Sequence, residues 1–364
     1  MIDLPSYENL KSAFPLKESQ KAFIEQSRDT VRQILEGKDR RLLLIIGPCS
    51  IHDPLSAIEY AHCLKAIQQE LSSHFFIVMR VYCEKARSSF GWKGFLYDPC
   101  LDGSHQMELG LRSTRTLLLN LIDLGVPAGT EFLDPVTAPY YEELISWGSI
   151  GARTSSSQPH RQFASGLNLP IGFKNDIGGN ISVAVQGAMA ASQPQSYLAF
   201  GHGARPVLIR TSGNRDSHIV LRGGEVQPNY DPSSIQQAID HLKEAVLPLR
   251  VLIDCSHQNS RKLAQRQIEV FQSVLQQFKA GNQLIRGLMV ESFLNGGCQP
   301  FNESAAALQY GVSITDPCLD WPSTSTLLRW GAEYLDREEE YAEAERESVK
   351  SIFQWNPVEA LISS

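Results

Sequence analysis

The chain has 364 residues, enough for about two average domains or for one large α/β barrel. Its 33 basic and 40 acidic residues give a net charge of −7, which excludes the strongly basic surface of a typical nucleic-acid-binding protein. Hydrophobic residues make up 42%, which excludes a mainly disordered chain, and no apolar run reaches the ~18 residues that cross a bilayer. The start lacks the pattern of a signal peptide and the seven cysteines are scattered, so we expect a cytoplasmic protein without disulfides.

Both ends of the chain differ in pattern from the middle. Residues 1–40 are predicted to be an N-terminal extension, because 18–36 have apolar side chains at helical spacing and Gly37 follows as a helix end. Near the other end, residues 337–347 form an acidic run that is typical of a solvated helix face.

Between the two ends, short apolar runs alternate with segments of helical length. The predicted strands are 42–46, 75–81, 128–132, 150–153, 171–174, 218–222, 251–255 and 287–291. Helix-length segments lie between most of them, for example 56–71, 106–124, 137–147, 181–192, 233–246 and 261–279. Alternating β and α units indicate a parallel sheet, and eight of them predict a (β/α)8 TIM barrel. An open, doubly wound sheet is the alternative, but no G-x-G-x-x-G turn follows the first strand.

Two long stretches interrupt the alternation. One is the connection 82–105, which is rich in charge, glycine and proline. The other, 195–217, contains two β-like pieces at 197–200 and 207–211 and is predicted to be a hairpin inserted before the sixth barrel strand. Loops of this length inside a compact domain are usually functional. The whole chain, 1–364, is therefore predicted to be a single barrel domain with two additions.

The ends of the predicted strands carry polar or metal-binding residues. In an α/β barrel the active site lies at the carboxyl ends of the strands. In chain order, the residues at or just after these ends are Cys49, Arg80, Glu131, Arg153, Lys174, Arg222, Asp254 with His257, and Glu291. One charged residue at a strand end usually marks only where solvent begins. Because all eight strand ends carry a polar or metal-binding residue, we predict an active site at this rim.

Cationic residues near this rim predict an anionic ligand. They are Arg80, Lys85, Arg153, Lys174 and Arg222. Guanidinium groups fit the oxygens of phosphate and carboxylate, whereas the lysine ammonium acts as a point charge. A small phosphorylated acid is the natural ligand, and surface ion pairs with unrelated acidic residues are the alternative.

A second set of residues suits a divalent transition metal. Cys49, His257, Glu291 and Asp316 offer a thiolate, an imidazole and two carboxylates. They are far apart in sequence and form no local motif. On the residues alone, a buried structural cysteine and an ordinary loop histidine remain the alternatives.

Nine short blocks of sequence carry a family resemblance. They lie at 45–54, 91–94, 151–154, 172–175, 211–214, 221–224, 253–257, 290–292 and 313–316. In the content, order and spacing of these blocks, the chain resembles the class I 3-deoxy-D-arabino-heptulosonate 7-phosphate (DAHP) synthases of the long microbial type regulated by aromatic amino acids. The resemblance implies a barrel enzyme that condenses phosphoenolpyruvate with erythrose 4-phosphate and releases phosphate, the first step of the shikimate pathway to the aromatic amino acids.

The resemblance also implies residue roles. Cys49, His257, Glu291 and Asp316 match the ligands of one divalent ion, which can be Mn, Fe, Co or Zn. Arg80, Lys85, Glu131, Arg153, Lys174 and Arg222 match residues that bind phosphoenolpyruvate, and Arg87 and Ser88 match those facing the aldose phosphate. Lys85 is our candidate proton donor to the developing alkoxide, because desolvation can lower the pKa of a lysine. Together with Lys85, we count Cys49, His257 and Asp316 as catalytic.

Three segments depart from the family pattern. The acceptor segment Lys-Pro-Arg-Thr is Lys85-Ala86-Arg87-Ser88 here, Asn-Gly-Thr-Asp-Gly is Asn-Asp-Ile-Gly-Gly at 175–179, and Thr-Lys-Trp-Gly is Phe-Gly-His-Gly at 200–203. A paralogue of specialised metabolism that uses another aldehyde is therefore an alternative. An inactive regulatory paralogue is a second alternative, although all the proposed ligands and cations are present. A metal-dependent aldolase would not need so many cations.

Regulation and assembly are also implied by the resemblance. The positions matching an aromatic amino acid site near the hairpin are Asp134, Phe163, Leu167, Asn168, Tyr197 and Ala199. Because Asn168 and Ala199 replace small hydroxyl residues, phenylalanine, tyrosine, another effector or none are all open. Family members form dimers or tetramers, so we expect a homodimer or homotetramer in which the N-terminal arm packs on a neighbouring subunit.

Overall fold

A computed structural model describes residues 2–201, 205–301 and 307–336, so the predicted acidic helix at 337–347 lies outside the described residues. The strands are β1 (Leu42–Gly47), β2 (Phe75–Arg80), β3 (Ala128–Glu131), β4 (Trp147–Ile150), β5 (Ile171–Lys174), β6 (Ser196–Phe200), β7 (Pro206–Arg210), β8 (His218–Leu221), β9 (Val251–Asp254) and β10 (Ile285–Glu291). All except β6 and β7 form a closed barrel of parallel strands, in which β10 pairs with β1. The predicted (β/α)8 barrel is confirmed.

Helices surround the barrel. They are α1 (Tyr7–Ala13), α2 (Glu18–Glu36), α3 (Pro54–Gln68), α4 (Met107–Leu124), α5 (Gln158–Gly166), α6 (Ile181–Ser192), α7 (Pro232–Glu244), α8 (Arg266–Lys279) and α9 (321–336). The strands are buried on both faces, as in β1, where Leu42 and Leu44 pack in the outer core and Leu43 packs in the barrel interior. Burial on both faces explains why the strands have continuous apolar sequences. No helix in the described ranges has the length and hydropathy needed to cross a membrane.

The predicted N-terminal helix is confirmed as α2, which closes the amino end of the barrel. Ile34 packs in the same buried cluster as Leu43 and Trp147 of the barrel interior. Arg28 donates from Nε to the carbonyl oxygen of Ile145 at 2.9 Å. Gly37 ends the helix with a φ of 75°, a conformation that glycine adopts without strain.

The inserted hairpin is confirmed as the antiparallel pair β6 and β7. These strands form a sheet of their own, separate from the barrel. Leu198 pairs with Leu208 across the hairpin, and both side chains are exposed together with Phe200. The hairpin therefore presents one apolar face to the outside.

The predicted helix at 137–147 is wrong. The chain there forms two short 3-10 helices, Ala138–Tyr140 and Glu142–Leu144, before β4 begins. Pro139 supplies no backbone N–H, and Tyr141 has a φ of −148°, which is far from helical values. The segment therefore does not form the continuous α-helix that its sequence pattern suggested.

The predicted strand at 150–153 is also wrong, by three residues. β4 ends at Ile150, and the backbone then turns back on the carbonyl group of Gly151. The carboxylate of Glu131 fills the space that a β-carbon at Gly151 would need, which explains the glycine at this turn. Arg153 consequently lies beyond the strand, in the loop above the barrel.

Candidate active site

Three of the four proposed metal ligands meet at the carboxyl end of the barrel. Ligand atoms of Cys49, Glu291 and Asp316 lie within 4.8 Å of one another. Gly47 is the register partner of Glu291, so Cys49, two residues further along, is carried to the same place. His257 lies beside this group, with Nε2 3.9 Å from Oε1 of Glu291. The mixture of sulfur, nitrogen and oxygen donors suits a divalent transition metal.

Burial and neighbouring charges strongly shift the pKa values of Cys49 and Asp316. Burial, together with Glu291, raises the pKa of the Cys49 thiol to about 11. Burial alone would also raise the pKa of Asp316, but nearby cations, Lys85 first among them, hold it at about 2. A divalent cation would supply the positive charge that favours the thiolate form of Cys49.

The expected lowering of the pKa of Lys85 is wrong. Its Nζ lies 2.8 Å from Sγ of Cys49, and the carboxylates of Glu291 and Asp316 are close by. Burial by itself lowers the pKa, but Cys49, Glu291 and Asp316 outweigh it and raise the pKa above the ordinary lysine value. Lys85 is thus a stable ammonium group in contact with the thiol.

His257 is oriented by Asp254, the last residue of β9. The Nδ1 atom of His257 lies 2.9 Å from Oδ2 of Asp254 and 2.8 Å from Oγ of Ser256. The φ of His257 is 52°, in the left-handed region that is unfavourable for residues other than glycine. The contacts to Nδ1 leave Nε2 facing Glu291.

Arg80 and Lys174, both proposed to bind phosphoenolpyruvate, are fully buried and paired with carboxylates. Arg80 donates from Nη2 to Oε1 of Glu291 at 2.9 Å, and Lys174 donates from Nζ to Oδ2 of Asp254 at 3.0 Å. Both cations lie over the ring of Tyr82, at 4.1 and 5.9 Å from its centroid. Pairing and cation–π contact compensate for the loss of water around these charges.

The other proposed phosphoenolpyruvate residues lie nearer the mouth. Arg222 follows β8 directly, and burial lowers the pKa of its guanidinium group. Glu131 ends β3. Arg153 lies furthest out and donates from Nε to Oγ of Ser88 at 2.8 Å. The structure therefore links Arg153 to the acceptor segment.

The loop after β2 forms a cavity of about 360 Å³ at the barrel mouth. Lys85, Arg87, Lys93 and Arg153 are among its lining residues. The backbone N–H of Lys85 donates to the carbonyl of Lys93 at 2.8 Å, which closes the base of the loop. A cavity of this size with several cations fits a small phosphorylated ligand. Ser88, predicted to face the same ligand, instead contacts Arg153.

The sequence interpretation missed Tyr82 and Lys93. Tyr82 lies two residues after Arg80, and side chains two apart in an extended chain share one side, so the spacing could have indicated it. Lys93 lies inside the block 91–94, one of those that carry the family resemblance, and this could have marked it as a cavity residue.

Comparison with known proteins assigns the chain to a family. Residues 14–329 match the model of the DAHP synthetase I family. The chain belongs to this family.

Individual relatives and one solved structure agree with this family assignment. The chain is 46% identical over 322 residues to the Tyr-sensitive phospho-2-dehydro-3-deoxyheptonate aldolase of Escherichia coli, covering 88% of this chain and 90% of the relative. It is 47% identical over 320 residues to the Phe-sensitive enzyme of the same organism, covering 88% and 91%. The solved structure of the Francisella tularensis aldolase of the same description has a TM-score of 0.89 and 41% identity, covering 92% of this chain and 98% of that chain.

The residues proposed as an effector site lie on three elements. Phe163 belongs to α5, Leu167 and Asn168 follow it, Tyr197 and Ala199 share one face of β6, and Asp134 lies after β3. The Tyr197 hydroxyl lies 3.5 Å from the position of a β-carbon at Gly166, so the hairpin contacts the end of α5. The side chain of Asn168 already accepts a hydrogen bond from Arg32 of α2, at 3.2 Å. Asp134 accepts from the Tyr97 hydroxyl at 3.2 Å instead.

Proposed function

We propose that this chain is a DAHP synthase, which condenses phosphoenolpyruvate with erythrose 4-phosphate and releases phosphate, and so starts the shikimate pathway to aromatic amino acids. Membership of the family and the activity named in its relatives support the reaction. The observation that carries the proposal is the position of the Cys49–Glu291–Asp316 group beside the buried cations Arg80 and Lys174.

We infer that Cys49, His257, Glu291 and Asp316 hold one divalent ion, Mn, Fe, Co or Zn. A thiolate ligand favours these metals over magnesium and calcium. The carboxylate of Asp254 behind His257 is the kind of outer contact that fixes a ligating imidazole. When bound, the metal would polarise the aldehyde oxygen of the acceptor.

The residues of the site then hold two anionic substrates together against their mutual repulsion. Arg80, Lys174 and Arg222 bind the phosphoenolpyruvate carboxylate and phosphate, because cations in a water-poor site bind anions strongly. Arg87 binds the phosphate of the aldose in the cavity of the loop. With the substrates in place, carbon 3 of the enol bonds to the aldehyde carbon and an alkoxide develops.

Lys85 is proposed to donate a proton to this alkoxide. The ammonium group lines the cavity of the loop at residues 85–94, the acceptor loop, and contacts Cys49, so it lies between the two proposed substrate sites. Bond formation leaves positive character on carbon 2 of the former enol, and water adds there. The hemiketal phosphate then breaks its bond between carbon 2 and the phosphate oxygen, which leaves the ketone; one proton of the water replaces the proton given by Lys85 and the other leaves with the phosphate.

An assay of phosphoenolpyruvate consumption tests the proposal. We expect consumption with erythrose 4-phosphate, loss of activity with a chelator, and recovery when Mn²⁺, Fe²⁺, Co²⁺ or Zn²⁺ is added back. If no aldose phosphate supports consumption in the metal-loaded protein, the inactive regulatory paralogue is the better interpretation.

The acceptor loop supports a second candidate, a paralogue that uses another aldehyde. Ala86 stands where the family has proline, and Ser88 contacts Arg153. A panel of four- and five-carbon aldose phosphates separates the two candidates by the ratio of their kcat/KM values.

We also propose regulation by an aromatic amino acid. Identity does not select the effector, because the Tyr-sensitive and Phe-sensitive relatives are 46% and 47% identical to the chain. Inhibition curves with phenylalanine, tyrosine and tryptophan identify it. No inhibition by any of the three would contradict this part of the proposal.

A homodimer or homotetramer in the cytoplasm is proposed as the working form. The exposed apolar side chains Leu198, Phe200 and Leu208 support association, and light scattering measures it. All seven cysteines of the sequence are free thiols, which supports a reducing compartment.

A further inference from the structure

Glu84 is a buried carboxylate that has no ion-pair partner among the described residues. Only 3% of the residue is exposed. Thr137 donates from Oγ1 to Oε1 of Glu84 at 2.6 Å, and the Tyr141 hydroxyl donates to Oε2 at 3.0 Å. Burial of a carboxylate among neutral donors is costly. Such groups often mark functional positions.

Glu84 immediately precedes Lys85, and the two side chains extend to opposite sides of the chain. Lys85 contacts Cys49 in the candidate active site, whereas Glu84 contacts Thr137 and Tyr141 in the segment after β3. The two residues are joined by one peptide group, so a contact that fixes one side chain also restricts the direction of the other. Glu84 therefore anchors the base of the acceptor loop to the barrel.

Tyr97 connects this anchor to the acceptor cavity. It lines the cavity, and its hydroxyl donates to Oδ2 of Asp134 at 3.2 Å. Glu84 acts on the same hydroxyl through its charge: burial, Glu84 and Asp134 together raise the pKa of Tyr97. Two carboxylates thus act on one hydroxyl at the cavity wall.

We propose that Glu84 is a positioning residue for the aldose phosphate. In its ionised form, the carboxylate keeps the hydroxyl donors of Thr137 and Tyr141 turned toward it and holds the cavity wall and Lys85 in place. In its protonated form, it needs an acceptor itself, so one donor turns away and the loop loosens. This inference rests on the proposed function, because it concerns the acceptor of that reaction.

The surroundings of Glu84 make this change possible near neutral pH. Burial raises the pKa of Glu84 to about 7, and the hydroxyl groups of Thr137 and Tyr141 lower it only in part. The titratable groups that face it are the carboxylate of Asp134, the phenols of Tyr97 and Tyr141 and the thiol of Cys83. None of these supplies positive charge.

The pH profile of the metal-loaded enzyme tests the proposal. We would measure kcat/KM for erythrose 4-phosphate from pH 5.5 to 9 in wild type and in Glu84→Gln. The variant should match wild type near pH 6 and be about tenfold lower near pH 8, the effect of one hydrogen bond to a charged group. The readout is kcat/KM of the variant divided by kcat/KM of wild type at each pH, because the phosphate group of the substrate itself titrates near pH 6. An equal ratio at every pH would show a merely structural role and overturn the proposal.

A second pair of variants keeps the carboxylate. Tyr141→Phe removes one donor to ionised Glu84, so the acidic decline in kcat/KM should move to higher pH while activity near pH 9 stays within about twofold. Tyr140→Phe is the matched control, because the Tyr140 hydroxyl donates to the carbonyl of Pro5. A decline that does not move in Tyr141→Phe, or that moves equally in the control, would overturn the proposal.

Thermal unfolding separates this inference from the proposed function. A carboxylate whose pKa is raised by folding destabilises the protein as pH rises from about 5 to about 7. Glu84→Gln should therefore gain in thermal midpoint relative to wild type between pH 5 and pH 8, whether or not phosphoenolpyruvate is consumed. A difference that stays constant with pH would overturn the inference, whereas an inactive wild type with the expected difference would overturn only the proposed function.

Discussion

At the residue scale, Asp254 joins the two halves of the candidate active site through one carboxylate. It accepts from buried Lys174, which is proposed to bind phosphoenolpyruvate, and contacts Nδ1 of His257, which is proposed to bind the metal. Burial alone would raise the pKa of Asp254, but His257 and Lys174 hold it well below its usual range. Its negative charge is therefore needed by both halves.

Replacing Asp254 with asparagine should weaken metal binding by about 10- to 100-fold, because His257 loses the group that orients its ring. Titration of Mn²⁺ into metal-free protein, followed by calorimetry, measures the effect. Asp240→Asn, an exposed change on α7, is the matched control and should bind metal like wild type. Unchanged affinity in Asp254→Asn would show that Asp254 does not orient His257 for metal binding.

Lys85→Met should abolish turnover and leave the metal content intact. The variant removes the proposed proton donor but none of the proposed ligands, and methionine keeps much of the side-chain volume. Phosphoenolpyruvate consumption and metal analysis of the same sample measure the two effects. Lys243→Met, on the exposed face of α7, is the control. Substantial remaining turnover would refute the proton-donor role.

At the scale of single elements, the acceptor loop depends on a close approach at Gly94. Its φ is 111°, and a β-carbon there would overlap the carbonyl oxygen of Cys83. Gly103 in the same connection has a φ of 73° but has no atom within 4 Å of the β-carbon position. The two glycines therefore share left-handed backbone and differ in the space around them.

Gly94→Ala should lower kcat/KM for erythrose 4-phosphate by more than about tenfold, since the loop must move away from Cys83. Gly103→Ala adds only the backbone strain of about 1 kcal/mol and should stay within a few-fold of wild type. Steady-state kinetics of both variants give the comparison. Similar losses in both would show that strain, and not the close approach, limits this loop.

The same scale shows what the sequence could and could not predict. The strand at 171–174 and the helix at 181–192 match β5 and α6, because continuous apolar runs and helical periodicity follow directly from burial. The predicted strand at 150–153 is displaced because a turn set by Gly151 and Glu131 follows Ile150 directly. That turn depends on a contact between separate segments.

The candidate site divides in the same way. Residues at strand ends, such as Arg80 and Glu291, could be predicted because the barrel brings all strand ends to one rim. The contacts of Glu84 could not, because Thr137 and Tyr141 lie 53 and 57 positions away on an irregular segment. Sequence spacing carries no information about such pairing.

At the scale of the whole molecule, helix α2 completes the core of the barrel interior at the end opposite the candidate active site. Ile34→Ala should lower the free energy of unfolding by about 2–5 kcal/mol, because it leaves a cavity beneath the barrel. Urea unfolding measures the loss, and kcat at low temperature should hardly change. Ile2→Ala, where the side chain is 91% exposed, is the control and should unfold like wild type.

Donor and acceptor recognition occupy different layers of this molecule. Of the residues proposed to bind the metal and phosphoenolpyruvate, Cys49, Glu291, Arg80 and Lys174 stand on or near strand ends, where any shift disturbs the barrel, whereas Arg87 and its neighbours stand on a loop. Natural selection, or an engineer, can therefore exchange residues 86–93 to admit another aldehyde, while Lys85 and the chemistry of carbon–carbon bond formation are kept. New sugar acids would arise from this scaffold by loop exchange alone.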